Sequence, residues 1–213
     1  TGGQVAIYSD QAVDHPDLEV RPFPLGGYLL ASTGICGGRS YAQLEQFFHG
    51  VCGDLGQKEP DTALYPRMNE LGRLVPSGCD GLTCSPWFTG TPSNPQLRAS
   101  WEGLGLDNFT AGHMTRALLE GMARVFATGY QTLLEIVPEP MSEVIGAGNG
   151  LRQNKLLGEC IQREFNLPIR ISANHEEACS GAAMIAAIGS GALESLDAAV
   201  DWVTYECNPT GKP

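Results

Sequence analysis

The stretch GAGNGLRQNKLLGECIQREF, Gly146 to Phe165, sets three glycines within five residues directly before a segment with helical spacing. A glycine turn between a strand and a helix narrows the choice of fold sharply. The turn uses backbone angles closed to most residues, and the helix behind it points free amides and the positive end of its dipole at whatever lies in front. MSEVIGAG before the turn reads as a strand, Leu151 to Phe165 as a helix, LPIRIS as a strand and HEEACSGAAMIAAIGSG as a closing helix rich in small residues. That alternation predicts an α/β domain. Two familiar templates fail: a Walker loop needs a Gly-Lys-Ser/Thr ending, and the dinucleotide fingerprint needs a third glycine where Leu151 stands. A plain turn and a ligand resting on the backbone both stay open at this point.

Two further loops carry the same signal. TGGQ, Thr1 to Gln4, offers a hydroxyl and exposed amides, and CGGRS, Cys36 to Ser40, sets a glycine pair before a helix. Three such loops in one domain point to a nucleotide cleft. Around them, QVAIYS, EVRPF and GGYLLAST read as three strands in meander order, and Leu44, Phe47, Phe48 and Val51 recur at helical spacing after Gly38. DTALYPRMNELGRLV is a second helical stretch, with Pro66 either in its first turn or breaking it. The segment from Gly81 to Leu106 reads as a strand, a long loop and another short strand, and a loop of that length is often functional. From Thr110 the spacing of Met114, Leu118, Met122 and Val125 or Phe126 predicts the longest helix, capped by Thr110 and ended by Pro138 and Pro140.

A formal charge of −11 over 213 residues argues against nucleic acid as a partner, since phosphate backbones are met by basic faces. No apolar run approaches a membrane span, and the opening residues have no targeting character, so a cytoplasmic protein is expected. The opening glycine turn, with no initiator methionine, reads as a piece of a longer chain. Seven scattered cysteines fit reduced thiols, and the Cys79/Cys84 pair, without a second pair or a histidine, reads as core and not as a zinc site.

The segment ASWEGLGLDNFTAGHMTRALLE, Ala99 to Glu120, resembles the C-terminal-domain motif of the FGGY carbohydrate kinases. Ala99, Trp101, Gly103, Leu104, His113, Met114, Ala117, Leu118, Leu119 and Glu120 fill its places in order. TGGQVAIYS looks like the family's phosphate-loop strand, GGRSYAQLEQFF like its next glycine loop and helix, GAGNGLRQNKLL like its adenine loop, and HEEACSGAAMIAA like its closing helix. LYPRMNELG and QNKLL look nearest to the sedoheptulokinase branch.

The resemblance implies a ribonuclease-H-like, actin-like ATPase domain, a mixed sheet with flanking helices. Residues 1–189 form the nucleotide-binding C-terminal domain, 190–213 a closing helix and tail, and the N-terminal sugar-binding domain lies outside this chain. It implies ATP or ADP as ligand, Mg2+ held mainly through the phosphates, and a ketose or polyol as the phosphorylated sugar. Thr1, Gly2 and Gly3 match the loop facing the terminal phosphates, and Gly37 and Gly38 the loop near the α-phosphate and ribose. Gly146, Gly148, Asn149 and Asn154 match the adenine and ribose region. No residue of this chain is given a catalytic or metal-ligating role, because the family's general-base aspartate precedes the TGG loop; the chain alone is expected to be inactive. Where many members carry Gly-Glu-Arg-Thr-Pro, this chain reads TGTPSNP, Thr89 to Pro95, without the Glu-Arg pair.

Asp10 and Asp14 read as solvated loop carboxylates, His113 as structural, His175 as a helix start, and Trp87 and Trp101 as core or interface residues. A nucleotide-sensing or assembly module of the actin-like superfamily is the alternative to a kinase, and the oligomeric state stays open, a homodimer among the options.

Overall fold

The structure, a computed structural model, describes residues 2–24, 26–57, 62–91, 94–139 and 141–206, with Cys36 described by its backbone only. Thr1, Pro140 and the NPTGKP tail lie outside the described residues. The chain opens with β1 (Gly2–Ser9), β2 (Glu19–Pro22) and β3 (Tyr28–Cys36). They do not form the expected meander: the order is β1-β3-β2, with both outer strands antiparallel to β3. Leu30 and Ala31 explain the central place of β3. Consecutive strand residues point to opposite faces, and both of these are fully buried, so both faces of the strand are covered. A tight turn closes the β2–β3 hairpin through Phe23 N–H donating to Gly27 O at 3.0 Å, and the Asp10–Asp17 loop carries the chain from one edge of β3 to the other.

Helix α1 (Gly38–Asp54) follows β3 directly. Its inward face runs through Tyr41, Leu44, Glu45 and Phe48, whereas Phe47, expected on that face, is 54% exposed. α2 (Tyr65–Leu74) takes Pro66 in its first turn, where the missing N–H has no partner to lose. Strands β4 (Thr83–Ser85) and β5 (Ser100–Glu102) pair antiparallel across the long loop. α3 (Ala111–Ile136) starts at Thr110, whose hydroxyl accepts from His113 N–H at 3.3 Å, and stops before Pro138.

The last third is β6 (Val144–Gly146), α4 (Asn149–Gln153), α5 (Lys155–Phe165), β7 (Ile169–Ser172), α6 (Glu177–Gly189), a 3-10 turn at Asp197–Trp202 and β8 (Tyr205–Glu206). β6 and β7 are parallel and β8 is antiparallel to β7, which makes this small sheet mixed. The single helix expected over Leu151 to Phe165 is two pieces. Asn154 leaves helical angles between them, at φ −114° and ψ 86°, and its Oδ1 caps α5 by accepting from Leu157 N–H at 3.1 Å. Among the described residues no helix is long and apolar enough to cross a membrane.

α3 buries more than the single face its spacing predicts. It packs against α2, α5, β4, β3 and β1, and Leu118, Leu119, Met122, Ala123 and Leu133 have almost no exposure. Glycine permits this closeness. A β-carbon at Gly121 would overlap the carbonyl oxygen of Cys84 on β4, and one at Gly129 would stand 2.7 Å from Ser32 Oγ on β3. Beside Gly121, the buried Glu120 carboxylate accepts from Arg116 Nε at 2.9 Å, Arg163 Nη2 at 3.0 Å and Gly78 N–H at 3.2 Å, joining α3 to α5 and to the loop after α2. Burial opposes its charge, but the two guanidiniums and the amide outweigh it and hold the carboxyl below its usual value.

The Gly78 contact anchors an unusual turn: Gly78, Cys79, Asp80 and Gly81 all have positive φ. Asn108 Nδ2 donates to Asp80 O at 3.1 Å, and His113 Nε2 lies 3.1 Å from Asp80 Oδ2. His113 is therefore structural. Burial raises the thiols of Cys79 and Cys84 to about 12 and that of Cys160 to about 11, so all three stay protonated and fill the core as small apolar residues.

Alanine forms helix better than glycine by about 1 kcal/mol, yet Gly121→Ala is expected to destabilise this chain by about 1–3 kcal/mol because β4 must retreat. Differential scanning calorimetry should show the midpoint fall by roughly 2–4 °C per kcal/mol. An unchanged or raised midpoint would contradict the packing of β4 on α3.

Candidate functional site

Where β3 ends, Gly37 turns the chain into α1 with no side-chain cap and no acidic residue in the first turn. The amides there and the helix dipole therefore face outward without an internal anion. In front of them lies an open cleft of about 500 Å³. One wall is built by Gly2 of β1, Gly34 of β3 and Gly37, Arg39 and Gln43 at the start of α1. The other is Phe88 to Thr91 of the long loop between β4 and β5. Among the described residues no Asp or Glu lines the cleft, in a chain whose formal charge is −11. Arg39 is exposed and makes no hydrogen bond or ion pair among the described residues. A lone guanidinium, the amides at the start of α1 and the hydroxyl of Thr89 form a setting for an anion with several oxygens.

The Gly146 turn is built differently. Gly146 packs inward: a β-carbon there would press on Ile171 Cδ1 at 2.7 Å and Leu151 Cδ1 at 3.0 Å. Gly148, at φ +91°, faces open space. Its N–H donates to Glu177 Oε1 of α6 at 3.1 Å, and Arg152 Nη2 meets the same oxygen at 2.6 Å. Burial again opposes the charge of Glu177, while the Gly148 amide and Arg152 hold its carboxyl below the usual value. The amide at the start of α4 is thus already occupied by the protein's own carboxylate. Asn149 is exposed beside it, and Asn154 is buried in its capping role. On α1, burial pushes the Tyr41 phenol well above its ordinary value while the neighbouring Asn154 side chain opposes the shift, so the first turn of α1 and the α4–α5 junction lie against each other.

Of the residues singled out in the sequence, Gly2 and Gly37 line the cleft, with Gly38 open at its edge. Gly148 and Asn149 form the second exposed surface. Gly3 faces inward, where a β-carbon would overlap the Phe126 ring, as do Gly146 and Asn154, and Thr1 lies outside the described residues. Arg39, Gln43, Thr89 and Thr91 were not singled out as ligand-binding residues. Arg39 directly follows the glycine pair, which was the available signal. Asp10, Asp14 and His175 are exposed, and Trp101 donates its indole N–H to Met114 O at 3.4 Å from a half-buried position. No group of three or more His, Cys, Asp or Glu among the described residues could hold a metal ion.

These features define an α/β domain of the actin-like ATPase fold. The xylulose kinase of Rhodospirillum rubrum superposes on the whole chain with a TM-score of 0.82 at 25% identity, over 41% of that kinase. A model of the FGGY family of carbohydrate kinases, C-terminal domain, matches residues 4–190, and the chain belongs to that family. Bacillus subtilis gluconokinase is 27% identical over 150 residues, covering 68% of this chain and 29% of the gluconokinase. Human sedoheptulokinase is 26% identical over 172 residues, covering 80% of this chain and 35% of that enzyme. The chain therefore spans about a third of the length of these curated relatives.

Asn154→Ala is expected to cost about 1 kcal/mol through loss of the α5 cap, with Asn154→Asp retaining most of it. Urea unfolding reads the difference as a lower midpoint at unchanged slope. Equal midpoints for wild type and Asn154→Ala would contradict the capping role.

Proposed function

We propose that this chain is the nucleotide-holding half of an ATP-dependent sugar kinase that phosphorylates a hydroxyl of a ketose or polyol. The observation that carries the proposal is the cleft at the start of α1, which among the described residues has no acid in its lining and holds an Arg39 without a partner, in a strongly acidic chain. Phosphoryl transfer asks a protein chiefly for positioning and for charge placed where the phosphates develop it. On this reading Arg39, the first-turn amides of α1, Gly2 and Thr1 meet the phosphates, while Gly148 and Asn149 carry the adenosine. Gly3, Gly146 and Asn154 shape these surfaces from behind. Residues 1–189 make up this domain, and of the residues after it β8 pairs with β7.

Magnesium comes with the phosphates of the nucleotide, which hold it. The sugar and the base that takes its proton are supplied by a further domain, so the chain by itself binds nucleotide and transfers nothing. Its relatives include gluconokinase and sedoheptulokinase at almost equal identity, which fits a substrate chosen outside this domain. A reaction fed by ATP suits the cytoplasm.

Isothermal titration calorimetry tests the reading. Magnesium-ADP is expected to saturate one site, and Arg39→Gln to weaken it roughly tenfold or more, the loss of a charge-assisted contact, with adenosine affinity unchanged. Equal ADP affinity in wild type and variant would contradict the assignment of the phosphates to this cleft.

A further inference from the structure

The two exposed glycine surfaces have opposite electrostatic preparation, although both stand at the mouth of a helix. At α1 no side chain among the described residues caps the amides, and Arg39 lines the cleft in front of them. At α4 the Gly148 N–H is held at 3.1 Å by Glu177, a carboxylate standing where an incoming anion would have to sit. Arg152 locks that carboxylate in place. Its Nη2 reaches Glu177 Oε1, Asn174 O at 2.9 Å and Ser172 O at 3.2 Å, and its Nη1 reaches Asn149 Oδ1 at 3.4 Å. The side chain is nine-tenths buried. Its Nε is the one buried side-chain polar atom without a partner among the described residues.

Resting on the proposed function, we propose that Glu177 and Arg152 are a positioning pair that fixes which way round a nucleotide lies. Glu177 occupies the Gly148 amide and repels phosphate from it, and Arg152 holds the carboxylate against the turn. The turn is left with an open glycine face suited to the adenosine end. Phosphate is accepted at Arg39. A structural staple between α4 and α6 would also use these contacts, but it would have no bearing on where polyphosphate binds.

The experiment titrates the full chain with adenosine, magnesium-ADP and inorganic tripolyphosphate, in wild type, Glu177→Gln, Glu177→Ala and Arg152→Lys. Circular dichroism and thermal midpoints identify the folded variants, and the near-isosteric Glu177→Gln and the conservative Arg152→Lys keep the test alive if Glu177→Ala does not fold. Wild type is expected to bind one tripolyphosphate. Glu177→Gln, which frees the Arg152 charge beside the turn, is expected to bind a second tripolyphosphate and to lose roughly tenfold in adenosine affinity. Glu177→Ala, if folded, should do the same more strongly. Arg152→Lys should lose adenosine affinity without gaining the second site. Unchanged adenosine affinity and a single tripolyphosphate in folded Glu177→Gln would overturn the inference while leaving the proposed function standing. Wild type that binds neither adenosine nor ADP would overturn the proposed function itself, and the inference with it.

Discussion

At Gly121 the backbone of β4 comes so close to α3 that no side chain fits between them, and at Gly129 Ser32 of β3 does nearly the same. Both exposed surfaces of the candidate site depend on this closeness. β3 delivers the chain to Gly37, β4 opens into the Phe88–Thr91 wall, and α5, on another side of α3, anchors the far end of the α4–α5 junction. A helix surrounded in this way has little freedom to shift, because packed interiors resist volume changes of even one methylene. Glu120 adds a polar fixture at the same level. Its carboxylate is bonded to two arginines and one amide, which is the condition under which a buried charge is tolerated.

The acidity of the chain sharpens the meaning of the places where acid is missing. In a chain with 24 Asp and Glu against 13 Lys and Arg, the one charged residue among the described residues that line the cleft is Arg39. The Gly148 turn carries the reverse arrangement, with a carboxylate tucked under the amide and an arginine behind it. Glycine composition alone does not separate these two loops. The side chains that follow each glycine group do: Arg39 one residue after Gly38, and Glu177 arriving from a helix far along the sequence.

That contrast also describes what the sequence made legible. Local signals were read directly: the Thr110 cap, the strand and glycine turn around Gly146, and the Ala99 to Glu120 motif that led to the FGGY family, while of the two places open to Pro66 the structure takes the first turn of α2. What escaped depends on partners distant in sequence. Asn154 breaks an otherwise continuous helical pattern, and its role follows from capping α5 while lying against Tyr41 of α1. The placement of β3 between β1 and β2 follows from burial on both its faces, which a run of apolar residues does not distinguish from a meander. Phe47 fits a helical period as well as Phe48 does, and only the packing around Tyr41 and Leu44 selects the phase. Cys79 and Asp80 at positive φ carry no sequence signal beyond the flanking glycines, since their conformation is held by Glu120, Asn108 and His113.

The central claim is that one nucleotide spans both glycine surfaces, phosphates at the first and adenosine at the second. Amide chemical-shift mapping of the isotopically labelled chain, with magnesium-ADP and then adenosine alone, tests it most directly. The account predicts that magnesium-ADP shifts the amides of Gly37, Gly38 and Arg39 together with those of Gly148 and Asn149, and that adenosine shifts only the second group. Shifts confined to other parts of the chain, or adenosine acting on the α1 turn in place of the α4 turn, would contradict it.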